Sequence, residues 1–222
     1  MIDRPNSLWN LVFAALAALV GIWGVSQVGM ETPVPIHFDA QGHINGWAAA
    51  KWGLSLLPIF MAVNVAIQRA LPHLDPRGAN LQRSSKAYGV MWASVQAFLL
   101  AMQCLIVATA LGYPMDINRC ILMLVGALFV AMGNMMGKLR WNYTVGIRTP
   151  WTLADERVWD KTHRFGGRLF VAGGLLLILG GCLPLAVSNR AWMIPAVVGV
   201  VSLLSVLKSY LLWRETGDHH AT

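Results

Sequence analysis

Six apolar runs, each long enough to cross a lipid bilayer, leave this chain little choice of fold. They occupy residues 8–28, 53–71, 88–111, 117–136, 169–187 and 191–213. A spanning helix needs roughly 20 mostly apolar residues, and within hydrocarbon its backbone N–H and C=O groups must be satisfied inside the segment. The second run is the weakest, because it carries Pro58, Asn64, Gln68 and Arg69. Only 12% of the 222 residues are charged, whereas soluble domains carry about 25%. Nothing remains for a separate soluble domain. The expected fold is an all-α membrane protein, a polytopic bundle of six transmembrane helices. It divides into two three-span halves, 1–112 with a loop at 29–52 and 113–222 with a loop at 137–168.

The charge pattern orients the bundle. With the N-terminus inside, fourteen of the seventeen Lys and Arg residues fall on inner segments, leaving only Lys51, Arg119 and Arg190 outside. The positive-inside rule therefore places both termini in the cytoplasm, the 29–52 loop outside and the 137–168 loop inside. The net charge of +7 is explained by this topology, so no nucleic-acid partner is expected. The first run exceeds the 7–15 residues usual for a signal peptide, and no small-x-small cleavage site follows it. Cys104, Cys120 and Cys182 show no disulfide framework or metal spacing and read as apolar fillers.

The inner loop contains the most polar long stretch, "NYTVGIRTPWTLADERVWDKTHRFGG" at 142–167. Thr152 and Asp155 have capping-box spacing, and Pro150 suits the entry to a helix. At 100° per residue, Ala154, Val158, Trp159, Thr162 and Phe165 gather on one side. Glu156, Arg157, Asp160, Lys161, His163 and Arg164 share the other. This predicts a short amphipathic helix of about three turns, lying in the membrane interface between spans four and five. Trp141, Trp151 and Trp159 suit the headgroup level. Arg148 is expected to reach back to loop carbonyls or to a carboxylate such as Asp155 or Asp160, or to grip a lipid phosphate. Gly166, Gly173 and Gly180 recur every seven residues, each with a second Gly beside it, and Gly133 and Gly137 form a GxxxG pair. Spans four and five should pack closely.

Within the spans, Asn64 and Gln68, Gln96 and Gln103, and Asn134 should face the bundle interior, because amides facing lipid leave hydrogen bonds unmet. The outer residues His37, Asp39 and His43 match no common zinc arrangement, so no metal is expected there. In the inner loop Asp155 and Glu156 are adjacent and point about 100° apart on a helix, which does not suit two carboxylates flanking one bond. No Gly-rich phosphate loop accompanies them. The expectation is a protein that is not an enzyme and holds no cofactor.

The run from Gly133 to Gly167 resembles the signature of the SdpI family, bacterial membrane proteins named for immunity to a secreted killing peptide. Asn134, Lys138, Asn142, Gly146 and Arg148 fill its first part. Thr149, Pro150, Trp151 and Thr152 follow, then Trp159, Thr162, His163 and Gly166. The outer "VPIHFDAQGHINGW" is similar to a short segment of unknown function that often precedes the signature, with Pro35, His37, Phe38, Gly42 and Trp47 in place. The resemblance implies a multi-pass protein of the bacterial cytoplasmic (inner) membrane that confers resistance to a membrane-active peptide toxin. The expected partners are the lipid bilayer and an extracellular peptide toxin, while the inner patch is expected to stabilise the bundle or, through its basic helix, to signal to a cytoplasmic regulator. Arg148, Trp151 and His163 lead the inner candidate residues, and His37 and Trp47 the outer ones. A small peptide or lipid transporter with inverted halves is the alternative. No Asp, Glu or Lys sits mid-span to carry protons for it.

Overall fold

The computed structural model of the protein describes residues 4–217. Six of its helices are long and apolar enough to cross a membrane, and the chain is a multi-pass membrane protein. The first is α1 (Arg4–Val28). A two-stranded antiparallel hairpin follows, β1 (Pro33–Phe38) and β2 (Ile44–Ala49). One turn, α2 (Ala50–Gly53), leads into α3 (Leu56–Leu74). A short α4 (Gly78–Arg83) precedes α5 (Ser85–Ala110) and α6 (Ile117–Met136). The signature loop then holds α7 (Pro150–Ala154), before α8 (Glu156–Cys182) and α9 (Val187–Gly217).

Alternating crossings gather loop 75–84 and the signature loop at one end of the bundle, the signature end. The β-hairpin and the turns at 111–116 and 183–186 share the other, the hairpin end. The hairpin was not anticipated from the sequence. It forms because Pro33, Val34 and Pro35 favour extended backbone and Val34 drops into a core with Ala50, Leu54, Ile106 and Val107. Ala17, Met61 and Leu99 form a second core among α1, α3 and α5, and Leu122, Leu177, Val197 and Val201 a third among α6, α8 and α9.

The glycine pattern in α8 serves two neighbours at once. Gly167 and Gly174 meet α6 backbone to backbone: a Cβ on Gly133 would lie 2.6 Å from the Gly167 carbonyl oxygen, and one on Gly174 would lie 2.5 Å from that of Gly126. Gly173 and Gly180 instead admit Val197 and Met193 of α9. A pair of glycines repeated every two turns thus lets α8 approach helices on two sides, which bears out the close packing of spans four and five.

Several expectations are corrected. The amphipathic segment is not a separate interfacial helix. It is the first part of α8, whose 27 residues extend about 40 Å against a hydrocarbon thickness of about 30 Å. Its opening turns therefore stand beyond the apolar layer without a break. Among the span amides, Asn64, Gln68, Gln96 and Gln103 are buried, but Asn134 is exposed. It lies one residue past Gly133, on the outer side of the α6–α8 contact. Cys104 and Cys182 are exposed and Cys120 is half-buried.

Candidate functional site

The signature loop is a hydrogen-bonded knot that closes on the start of α8. Asn142, fully buried, organises its first turn: Oδ1 accepts the Thr144 and Val145 amides at 2.9 and 2.8 Å, and Nδ2 donates to the Arg140 carbonyl at 2.9 Å. Gly146 follows with φ +131°, a conformation other residues rarely adopt, and a Cβ there would collide with His163. This close approach brings the Ile147 amide onto His163 Nε2 at 2.9 Å, while Nδ1 lies 2.8 Å from the Trp159 carbonyl. Because Nε2 accepts, the ring is the neutral Nδ1–H tautomer. Its face stacks on Trp159 with centroids 3.8 Å apart, and the Trp159 indole donates to the Leu139 carbonyl at 2.9 Å.

Pro150 starts α7 and puts the cap on Thr149. Thr149 Oγ1 accepts the Thr152 amide at 3.2 Å, and Thr152 Oγ1 accepts the Thr149 amide at 2.9 Å. The capping box is thus Thr149–Thr152, three residues earlier than the Thr152–Asp155 pair expected, because a proline at the first helical position fixes where the helix begins. Asp155 caps the next helix instead. Its extended backbone separates α7 from α8, and its carboxylate accepts the Arg157 and Val158 amides at 2.6 and 3.0 Å. Thr149 Oγ1 also lies 3.0 Å from Ser209 Oγ, which ties the loop to α9.

The structure sorts the predicted inner residues into two sets. Asn142, Thr149, Thr152, Trp159, Thr162, His163 and Gly166 are buried, the first six polar or aromatic, and they hold the loop to α8 and α9. Thr162 Oγ1 has no hydrogen-bond partner among the described residues. Lys138, Gly146, Arg148 and Pro150 are exposed. Arg148 donates to the Tyr143 carbonyl at 3.0 Å rather than to Asp155 or Asp160. Trp151 is half-buried and packs on Tyr210 of α9, centroids 5.1 Å apart. His163, placed on the polar side by its periodicity, is fully buried because the loop folds back over it. Trp159 is likewise core rather than a headgroup anchor.

Sequence reasoning missed three residues in loop 75–84. Asp75 Oδ2 accepts the Tyr143 amide and the Thr144 hydroxyl, both at 2.9 Å, while Oδ1 accepts the Arg77 amide at 2.7 Å. The Arg77 guanidinium lies 3.2 Å from the Trp141 ring centroid and 4.3 Å from that of Tyr143. Asn80 donates to the Trp141 carbonyl at 2.8 Å. A run with no motif, "LDPRGAN", thus clamps the signature loop from outside; only its single Asp amid helix-breaking Pro and Gly hinted at an ordered turn.

At the hairpin end, Pro35 is buried, Phe38 and Gly42 are half-buried, and His37 and Trp47 are exposed. His37 Nδ1 sits 2.5 Å from Asn45 Oδ1, while His43 pairs with Asp39 at 3.2 Å. Their ligand atoms do not converge: among the described residues no group of three or more His, Cys, Asp or Glu is arranged to hold a metal ion. Gly42, at φ +90°, turns the hairpin against α6, where Asn118 donates to the Ala40 carbonyl at 2.8 Å. A groove of about 710 Å³ opens between α1 and α3 beside the hairpin, with Ser26, Lys51 and Ser55 at an otherwise apolar lining. Trp47, Trp52 and Met30 stand exposed around this end. Nearby, Asp116 lies 3.0 Å from both Arg119 and the buried Arg190.

The signature loop with α8 and α9 is also the part that comparison with known proteins picks out. Residues 138–209 match the SdpI/YfhL protein family. Over this segment the chain is similar to that family. Residues 12–62 match a domain of unknown function (DUF1648). Immunity protein SdpI of Bacillus subtilis (strain 168) is 35% identical over 80 residues, which is 36% of this chain and 38% of that protein. The match thus spans less than half the length of this relative. No solved structure matches at a significant level. The SdpI-family segment runs from Lys138, at the loop's entry, to Ser209, the residue that receives Thr149. Its boundaries enclose the knot, all of α8 and the part of α9 up to Ser209. Asp75, Arg77 and Asn80, which clamp that knot, fall outside both matched segments.

Proposed function

We propose that this chain is an integral membrane immunity protein that protects the cell against a membrane-active peptide toxin. The observation that carries the reading is the 35% identity to a protein named for immunity, joined to a signature whose polar residues are used to fold the loop. Buried side chains already paired with backbone are poorly placed to turn over a substrate, which favours a binding role over an enzymatic one. The protein acts in the bacterial cytoplasmic membrane with both ends of the chain in the cytoplasm, as its charge asymmetry favours. The two matched segments lie one in each three-span half, in support of a division at about residue 112.

The hairpin end meets the toxin. A peptide that inserts into membranes carries apolar faces and cations, and the apolar groove with exposed Trp47 and Trp52 suits the former. His37 and Trp47 take part in contact, on a hairpin held by Pro35, Phe38 and Gly42. At the signature end, Asn142, Thr149, Pro150, Thr152, Trp159, Thr162, His163, Gly146 and Gly166 set the loop's shape. Lys138, Arg148 and Trp151 present it to a cytoplasmic regulator, with Asn134 at its edge.

The test is expression in a sensitive bacterium challenged with membrane-active killing peptides, membrane abundance being measured alongside. Wild type is expected to protect, Trp47→Ala to weaken protection, and Arg148→Ala, an exposed change, to leave abundance intact while protection falls. No protection against any peptide at normal abundance overturns the immunity reading. Energy-dependent clearance of a labelled peptide or lipid would instead favour transport.

A further inference from the structure

A second feature of the signature end lies outside the knot. Between the outer sides of α6 and α8 runs a groove of about 510 Å³. Its floor is the glycine contact of Gly133, Gly137 and Gly167, which themselves carry no side chain. Lys138, Arg164 and Arg168 line its outer part, all three exposed. None of the three makes a hydrogen bond or ion pair among the described residues. Arg164 lies across Gly137, whose Cβ would come 3.2 Å from Arg164 Cγ, and Lys138 is the next residue along the same wall of the groove. Arg168 follows four residues on, on the same helix face. Asn134 adds an amide next to the cations, and beyond it the lining turns apolar with Val171, Ala172 and Leu175.

We propose that this groove binds an anionic phospholipid, with the headgroup phosphate held by Lys138, Arg164 and Arg168 and an acyl chain laid along Val171, Ala172 and Leu175. The order of the lining is the reason for choosing a lipid. Charges sit where α8 leaves the apolar layer and aliphatic side chains lie deeper, so one groove meets both halves of the same molecule. From Arg164 to Leu175 the helix rises about 16 Å, close to the roughly 15 Å depth of one leaflet's hydrocarbon. A soluble phosphate compound would use only the first half, and an acidic protein segment would not enter the second. Basic pockets between transmembrane helices recognise headgroups in this way. Three unpaired cations favour a lipid of net negative charge over a zwitterionic one. The inference does not depend on the immunity reading, because the lipid is assayed on purified protein.

The experiment is native mass spectrometry of the full chain with phosphatidylglycerol and phosphatidylcholine, together with a phosphatidylglycerol carrying a photoreactive acyl chain. Wild type is expected to retain phosphatidylglycerol preferentially and to crosslink within 171–175. At about fivefold per cation near the surface, the R164Q/R168Q variant should bind about thirtyfold more weakly, and Lys138→Gln about fivefold. The charge-matched control R157Q/K161Q, on exposed positions of the same helix outside the groove, should change binding little. Equal loss in the control would reduce the effect to general surface charge and overturn the site. Binding of inorganic phosphate without acyl crosslinking would assign a soluble anion instead. If the double variant is not monodisperse, the single changes Arg168→Gln and Lys138→Gln decide, and unchanged lipid retention in both refutes the proposal.

Discussion

Replacing His163 tests whether the signature is first of all a folding device. The ring accepts the Ile147 amide, stacks on Trp159 and is fully buried. His163→Ala leaves a partly buried N–H without its acceptor, at a cost of about 1–3 kcal/mol. It also removes an aromatic stack of about 0.5–1.5 kcal/mol. The expected loss is about 3 kcal/mol, which by the scaling for chains of 150–250 residues lowers Tm by roughly 6–12 °C. His163→Gln can return a side-chain oxygen to the amide and should recover part of that loss, though not the stack. The assay is thermal unfolding of purified protein in detergent, with membrane abundance in cells beside it. If His163→Ala melts within a degree or two of wild type, or if Gln is no better than Ala, the ring does not organise the loop. A variant of normal stability that no longer protects would mark His163 as acting on a ligand after all.

The glycine contacts predict a contrast within one chain. Gly174→Ala forces a Cβ to 2.5 Å from the Gly126 carbonyl and should destabilise by about 1–3 kcal/mol, whereas Gly199→Ala, with nothing within 4 Å, should be neutral or slightly stabilising on unfolding. Asp75→Ala should cost about 2–4 kcal/mol through three hydrogen bonds lost to Arg77, Tyr143 and Thr144, with faster amide exchange at Tyr143. Desolvation pushes the Asp116 carboxyl up, but the Arg119 amide and the Arg190 and Arg119 charges outweigh it and hold it below its usual range. Its contribution is therefore present above the unfolded-state pKa of about 4 and fades as pH falls through the lower folded value. Amide exchange at the start of α6 should quicken only in that acid window, and Asp116→Asn should remove the dependence.

Much of the architecture was legible in the chain. Length and hydropathy mark six crossings because lipid forces each one to be a self-satisfied helix, a local property. The seven-residue glycine step announced close packing for the same reason, since helical periodicity makes one face from sequence spacing alone. What neighbours decide was not legible. His163 falls on the polar side of the helix and Trp159 on the side expected to meet the headgroups, yet a loop that turns at Gly146 and is capped at Thr149 folds back and buries them both. Asn134 faces outward because its neighbour Gly133 takes the contact with α8. Asp75, Arg77 and Asn80 carry no motif; their role comes from meeting a loop some sixty residues away, a distance in sequence that no local pattern encodes. The helices follow from composition and spacing, and the shape of the signature end follows from hydrogen bonds that exist only once the helices have met.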